Sequence, residues 1–502
     1  MAALSLLTLL LVVNSAWSAR IAGFLTIGGS QYMNMRLTME ELASRGHEVV
    51  LVVPSTQKVK PSERVPHKIY QVPCTPDFLD EMIRLELEGN KVQLMLKASE
   101  VMPTMCEGLL NSTEVFEELQ DFDLLVHDTA AFGAVSLGEH LGIPRVEIMP
   151  LPPNNLFASY FHAMPFPVSY VSELITEFSD KMTFVERAIN FGVYLGVNLF
   201  VHFAIDRPMN ALKVKYNIKP ERSYLQAARD TELVIITADF ALEYPQPLLP
   251  GNVMVGPLSV RDGRPLPPEL EKFVSNSGGH GFIIVSFGSN VASILSRKVV
   301  DMLAVAFGKL KQKVVWRLKG YIPSFLGANI KIVDWLPQND ILAHKDIKAF
   351  VSHVGHNSLY ESAYHGVPLV TFPLFGDQHS NAKKAAHFGL GLAVDHKTSN
   401  AQQLFETIER VITEPRFKSK AMHISGLLKD RRRTPLQETC DWIEYVLRHG
   451  GARHFRPQVL DIPWYQYYLL DVITFIVAIA TMVIVVIRLA CRCLSRVFVL
   501  RL

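Results

Sequence analysis

Twice along this chain a short apolar run ends in a glycine-bearing turn and leads into helix-forming sequence, and each time further apolar runs follow. The first unit is a strand over Arg20 to Ile27, the turn Gly28-Gly29-Ser30, a helix over Met33 to Ser44 stopped at Gly46, and a strand over Glu48 to Val53. A strand over Leu124 to Val126 then ends on His127-Asp128 and precedes a helix over Ala134 to Leu141. The pattern restarts at Phe282 to Ser286, which runs into Gly288-Ser289, a helix reaching Leu310 and a strand over Val314 to Arg317. Ile347 to Val351, Leu369 to Phe372 and Gly391 to Val394 read as further strands. Between the two series, Val255 to Pro268 is rich in proline, glycine and charge and lacks apolar periodicity, as a linker does. Parallel strands need helices on both faces, so the alternation predicts an α/β chain of two doubly wound, Rossmann-like domains facing across a cleft. The expected divisions are residues 20–255, a linker over 256–270, and residues 271–448.

The two ends carry a different signal. Ala2 to Val13 is too short to span a bilayer and is followed by the small residues Ser15, Ala16, Ser18 and Ala19, which predicts a signal peptide over residues 1–19. Its n-region has no Lys or Arg, and the alternative is the first strand of a fold. Leu469 to Ile487 is apolar apart from Asp471, and at ~1.5 Å per residue it covers the ~30 Å hydrocarbon core. A transmembrane helix is expected over 469–489, after a juxtamembrane segment at 449–468 and before a tail at 490–502. Trp464, Tyr465, Tyr467 and Tyr468 precede it, and Arg488, Arg492, Arg496 and Arg501 follow. Aromatic rings favour the headgroup region and arginines the cytosolic side, so the large N-terminal part is expected in a lumen, with a single type I span. In that compartment the triplet Asn111-Ser112-Thr113 becomes a glycosylation acceptor at Asn111. Phe178 to Phe203 is also apolar, but Asp180, Lys181, Glu186 and Arg187 divide it. It reads as an amphipathic helix that lines a cleft or lies on the bilayer, with core packing as the alternative.

Charge excludes one class of partner. With 50 Lys+Arg against 48 Asp+Glu, the net charge of +2 provides no field for nucleic acid. Five cysteines without zinc-ligand spacing give no metal site; Cys74 and Cys106 can pair in an oxidising compartment, free buried thiols being the other reading. Arg431-Arg432-Arg433 reads as a solvated face of the C-terminal helices.

The most specific stretch is Trp335-Leu336-Pro337-Gln338, then His353-Val354-Gly355-His356-Asn357-Ser358, Glu361, His365-Gly366-Val367-Pro368 and Phe375-Gly376-Asp377-Gln378. So many ordered positions at this spacing resemble the signature of the UDP-glycosyltransferase family, whose members have the GT-B fold. Gly29-Ser30, Asp128, Ser286-Phe287-Gly288-Ser289, Trp316-Arg317 and Arg448 to His454 extend the likeness to the animal membrane-bound branch, which includes glucuronosyltransferases and the ceramide galactosyltransferase type. The resemblance implies an inverting transferase that moves a hexosyl group, glucuronosyl first among donors, from a UDP-sugar to a small lipophilic acceptor. It implies no cofactor and no metal, an endoplasmic reticulum membrane location, and room for homo- or hetero-oligomers with related transferases.

The chemistry suits these residue types. Trp335 offers a flat face for uracil, worth ~1–3 kcal/mol for base–aromatic stacking. Gly355, Asn357 and Ser358 open a helix whose free N–H groups and dipole favour a diphosphate. By resemblance, His353 donates to a phosphate oxygen, Glu361 accepts from the ribose hydroxyls, Asp377 and Gln378 hold the sugar hydroxyls, and Ser289 and Arg317 lie near the phosphates and sugar. Gln338 belongs to the same donor-binding set.

Two positions depart from the family pattern. Where most relatives carry a base histidine paired with the aspartate at Asp128, this chain has Gln31, and a carboxamide is no base near neutral pH. Three readings follow: Asp128 acts directly as base, the acceptor needs little deprotonation, or the protein is a weakened UDP-sugar-binding partner of active relatives. His127 is expected to point to the opposite side of its strand. Val354 stands where the family usually has glycine, and its Cβ is expected to crowd the backbone near the diphosphate.

Overall fold

The computed structural model describes residues 18–499 apart from 27, 58, 60, 76 and 289–294. The expected signal peptide and Ser289 therefore lie outside the described residues, except Ser18 and Ala19.

Seven short strands form the first sheet: β1 (Arg20–Phe24), β2 (Glu48–Pro54), β3 (His67–Tyr70), β4 (Leu124–Asp128), β5 (Arg145–Met149), β6 (Leu233–Ile236) and β7 (Asn252–Met254). Six form the second: β8 (Phe282–Ser286), β9 (Lys313–Arg317), β10 (Ile330–Val333), β11 (Ile347–Ser352), β12 (Leu369–Thr371) and β13 (Gly391–Ala393). Their orders are β3-β2-β1-β4-β5-β6-β7 and β10-β9-β8-β11-β12-β13. Every pairing is parallel. In each half the chain winds outward from its first strand and then reverses, so the switch points fall between β1 and β4 and between β8 and β11. Open α/β sheets bind ligands in the crevice outside the carboxyl ends at such points.

The central strands are apolar on both faces because helices cover both: β8 reads FIIVS and β4 LLVHD, every residue buried. The helices that matter for the site are α1 (Ser30–Ser44), α2 (Phe78–Leu87), α3 (Lys91–Leu110), α4 (Phe132–Leu141), α5 (Phe184–Val201), α6 (Arg297–Gly308), α7 (His356–Tyr364), α8 (Gln378–His387) and α9 (Pro435–His449). Helix α1 begins three residues earlier than its apolar pattern predicts. Gly29, at φ 75° and ψ −127°, makes a turn open only to glycine and places Gln31 in the first helical turn. Residues between β7 and the helix at Pro268–Ser275 form neither strand nor helix.

One expectation changes, that for Arg431, and two open alternatives are decided. Cys74 and Cys106 are free thiols, the first half-buried and the second buried. Arg431 is not solvated: its guanidinium binds Asp239 and the Val255 carbonyl and faces Glu438, holding α9 and its neighbours to the end of the first half. The stretch at Phe178 to Phe203 does not pack in the core. In α5 the side chains of Phe184, Ile189, Phe191, Leu195 and Leu199 are exposed, whereas Asn190 is buried and donates to the Val168 and Val171 carbonyls. This helix turns its apolar face outward and its polar group inward.

Residues 455–502 form a separate compact unit. Within it, α10 (Leu470–Val499) contains a fully exposed apolar window over Leu470–Leu494, long and apolar enough to cross a membrane.

Candidate active site

At the β8/β11 switch point, His353 follows the last residue of β11, and its imidazole sits between two glycines. A Cβ on Gly288 would lie 2.7 Å from His353 Nε2, and one on Gly355 would lie 2.9 Å from it. Neither position can carry a side chain without displacing the ring. Burial lowers the His353 pKa to about 4, against a hydrogen bond to the Ser286 backbone and with nearby Arg317 acting in the same direction as burial, so the ring is neutral at pH 7.

The chain then turns at Val354 and enters α7. Val354 has φ 58°, its N–H is accepted by Ser352 Oγ at 3.0 Å, and its carbonyl accepts Asn381 Nδ2 at 3.1 Å. The isopropyl group is wholly buried in the same core cluster as Phe350 and Leu359. The side chain thus lies in the core, and the departure from glycine appears as backbone strain at the turn.

The first turn of α7 has its amides divided. The His356 N–H is accepted by Asp377 Oδ2 at 3.1 Å and the Leu359 N–H by the Gly355 carbonyl at 3.0 Å. Among the described residues, the N–H groups of Asn357 and Ser358 have no acceptor. Two free amides at the positive end of a helix make an anion site. Asp377 thus caps α7, and it also accepts from Asn381 Nδ2 at 2.6 Å. Gln378 spends its carbonyl on the Leu374 and Phe375 N–H groups at 2.9 and 3.1 Å, which fixes the loop carrying Gly376 and Asp377.

Beyond β10 the indole of Trp335 is 65 % exposed, unlike the buried Trp316. Arg317, at the end of β9, places its guanidinium 5.2 Å from the indole ring centroid and donates to the Asp334 carbonyl at 3.4 Å. It spans the interval between the indole and His353. Gln338 Nε2 donates to Ser358 Oγ at 3.1 Å and to Glu361 Oε2 at 2.7 Å, tying three of the expected donor-site residues into one buried cluster. Burial raises the Glu361 pKa to about 7, against the pull of Gln338. Gln338, Ser358 and Glu361 thus form one cluster, while Asp377 joins the first turn of α7. Among the described residues no group of three His, Cys, Asp or Glu side chains is placed to hold a metal.

In the first half, β1 pairs with β4 so that Phe24 lies opposite His127, and Asp128 ends β4 beside the turn into α1. Asp128 is 3 % exposed, and Oδ1 accepts the Ala130 N–H at 2.9 Å. Burial raises its pKa to about 7, with Glu147 adding to the rise. The side-chain oxygen of Gln31 is buried without a hydrogen-bond partner. His127 takes the other side of the strand, as expected, lining a separate cavity with Glu147, His162 and Phe161. Two residues beyond Asp128, Ala130 joins Phe24, Tyr70, Met102, Met105, Leu109 and Phe132 around a small cavity of about 10 Å³, with no charged side chain in its lining. Asn111, on the opposite end of α3, is exposed with its Oδ1 accepting from the Tyr216 hydroxyl at 2.7 Å.

The halves meet across the crevice through pairings that the sequence did not single out. Asn357 Nδ2 donates to Asn34 Oδ1 at 3.4 Å, and His356 Nε2 lies 2.8 Å from the Thr237 carbonyl. Lys384 donates to Glu243 at 2.6 Å, where Glu243 also accepts from the Tyr360 hydroxyl at 3.2 Å. Glu86, at the end of α2, accepts the Gly376 N–H at 2.9 Å. No local pattern marks these residues, because each partner lies more than a hundred positions away in sequence.

A family model described as UDP-glucoronosyl and UDP-glucosyl transferase matches residues 24–501. The chain belongs to the UDP-glycosyltransferase family. It is 34 % identical to rat UDP-glucuronosyltransferase 1A5, covering 92 % of this chain and 89 % of the relative. To human 2-hydroxyacylsphingosine 1-beta-galactosyltransferase it is 34 % identical, covering 86 % and 80 %. Solved GT-B enzymes share the fold at low identity. The calicheamicin glycosyltransferase CalG4 superposes with a TM-score of 0.59 at 17 % identity, covering 86 % of this chain and 99 % of that one. Phytolacca americana UGT2, complexed with UDP-2fluoro-glucose and pterostilbene, gives 0.58 at 16 %, covering 86 % and 100 %. This transferase is a glycosyltransferase enzyme of the UDP-sugar-dependent type with the GT-B fold.

Proposed function

We propose that the transferase moves a hexosyl group from a UDP-sugar to the hydroxyl of a small lipophilic acceptor with inversion, and that Asp128 is the base. The observation that carries this reading is a buried carboxyl with a pKa of about 7 at the carboxyl end of β4, next to the switch point of the first sheet. A base works best when its pKa is near the working pH, and here desolvation supplies what a histidine partner supplies elsewhere.

The donor lies across the second crevice, with uracil on the outer face of Trp335, the ribose hydroxyls at Glu361, and the diphosphate at His353 and the amides of Asn357 and Ser358. The acceptor binds in the first half with its hydroxyl at Asp128. Its oxygen attacks the anomeric carbon while its proton passes to Asp128. The bond from the anomeric carbon to the diphosphate oxygen breaks on the opposite side, and UDP leaves with its charge held by His353, Arg317 and the α7 amides, without a metal.

The relatives' names divide the sugar between glucuronosyl, the expectation from the sequence, and galactosyl. The apolar window of α10 and the four arginines that follow its start support a type I anchor with the two halves in the lumen of the endoplasmic reticulum and Asn111 glycosylated there.

The experiment is UDP release from membranes given UDP-sugars and a panel of phenols, alcohols and amines. Turnover with at least one hydroxyl acceptor is expected, and Gln31→His raises the rate with weakly acidic ones. Turnover of amines alone, with Asp128→Asn as active as the parent, overturns the assignment of the base.

A further inference from the structure

Glu86 sits where the sugar of the donor must end. Helix α2 reaches from the first half onto the second, where Leu87 packs against the core cluster that includes Phe287 and Phe372. One residue earlier, Glu86 Oε1 accepts the N–H of Gly376 at 2.9 Å. Gly376 has φ 61°, is exposed, and directly precedes Asp377 and Gln378. A carboxylate from the acceptor half is thereby fixed on the loop that presents the sugar-holding pair. The carboxyl of Asp377 is committed to α7 and Asn381, and Lys384, the cation that acts on Asp377, is buried in its bond to Glu243.

We infer that Glu86 selects the sugar: its charge, held at the Gly376 amide, disfavours a donor whose hexose bears a carboxylate and favours UDP conjugates of neutral hexoses. This rests on the proposed placement of the sugar at Asp377 and Gln378. A like-charge pair about 10 Å apart in a half-solvated site is worth on the order of tenfold in affinity.

The test is calorimetric titration of the full-length protein in detergent with UDP, UDP-glucose and UDP-glucuronate. The parent is expected to bind UDP-glucose about tenfold more tightly than UDP-glucuronate. Glu86→Gln keeps the shape and an acceptor for Gly376 while removing the charge; it is expected to close most of that gap by strengthening UDP-glucuronate alone. Glu88→Gln, on the exposed end of the same helix, is expected to leave the ratio unchanged. Equal parent affinity for the two donors, or an equal response to Glu86→Gln and Glu88→Gln, overturns the inference. Failure to bind UDP itself instead overturns the donor site.

Discussion

Asn357, in the first turn of α7, donates its side-chain amide to Asn34 on α1 at 3.4 Å. Asn34 is one turn beyond Gln31, so the free amides of α7 and the position of the missing base histidine belong to helices that touch. This is one of several polar contacts that join the two halves. Asp128, at the neighbouring switch point, stands on the acceptor side of that contact.

Asp128→Asn is expected to lower the transfer rate by about 10²–10⁴, the usual contribution of a general base, and to leave UDP affinity unchanged. The parent's rate should rise with pH and level off above about 7, because only the ionised carboxylate takes a proton. Stability carries the opposite sign. The folded pKa is raised above the unfolded value of 3.8, so the folded chain holds its proton while the unfolded chain releases it, and stability falls as pH climbs from about 4 to about 7. At pH 8 the asparagine variant should be the more stable protein, by up to about 4 kcal/mol. Equal melting temperatures for the two proteins at pH 5 and pH 8 would contradict the raised pKa.

Trp335→Ala tests the donor platform. The indole is too exposed to support the core, so unfolding should change by less than about 0.5 kcal/mol. UDP affinity should fall by ~1–3 kcal/mol, with Trp335→Phe in between. A variant that melts early but binds UDP normally would place the indole outside the nucleotide site.

Gly355→Ala puts a Cβ 2.9 Å from His353 Nε2, and the ring must give way. Donor affinity should drop about tenfold, the loss of roughly one charge-assisted hydrogen bond, matching His353→Ala. Gly426 is the control: it lies exposed in a helix with nothing within 4 Å of an added Cβ, so Gly426→Ala should stabilise by about 0.5–1 kcal/mol and leave binding alone. Equal UDP affinity in both alanine variants would show that His353 makes no contact with the donor.

Strand–turn–helix punctuation made most of the second half legible. β8 matches its sequence expectation at both ends because the apolar run FIIV starts straight after Gly281 and reaches Ser286 just before the turn at Gly288. The motif positions also converge: Gln338, Ser358 and Glu361 are joined by hydrogen bonds although 23 positions separate the ends of that set. β5 escaped notice because Arg145 and Glu147 interrupt its apolar pattern; both are buried, and Glu147 is satisfied at 2.9 Å by His162. β7, at three residues, is too short to show a period. Glu86 could not be read at all, since only the tertiary fold brings α2 to Gly376. Arg431 was misread for a related reason: a run of three arginines looks solvated, and its partner Asp239 is 192 positions away.

Val354 allows a test in which two large terms oppose each other. A β-branched residue at φ 58° carries ~1–2 kcal/mol of strain, and glycine would remove it. The same substitution deletes a wholly buried isopropyl group and adds chain entropy to the unfolded state, together about 3 kcal/mol. Val354→Gly should therefore destabilise by only about 1–2 kcal/mol. Val351→Gly, equally buried but in the extended backbone of β11, has no strain to recover and should lose the full amount. Denaturant midpoints of the two variants decide the matter. If Val354→Gly costs as much as Val351→Gly, the left-handed turn is not strained. If it tightens UDP binding as well, the side chain reaches the diphosphate despite its place in the core.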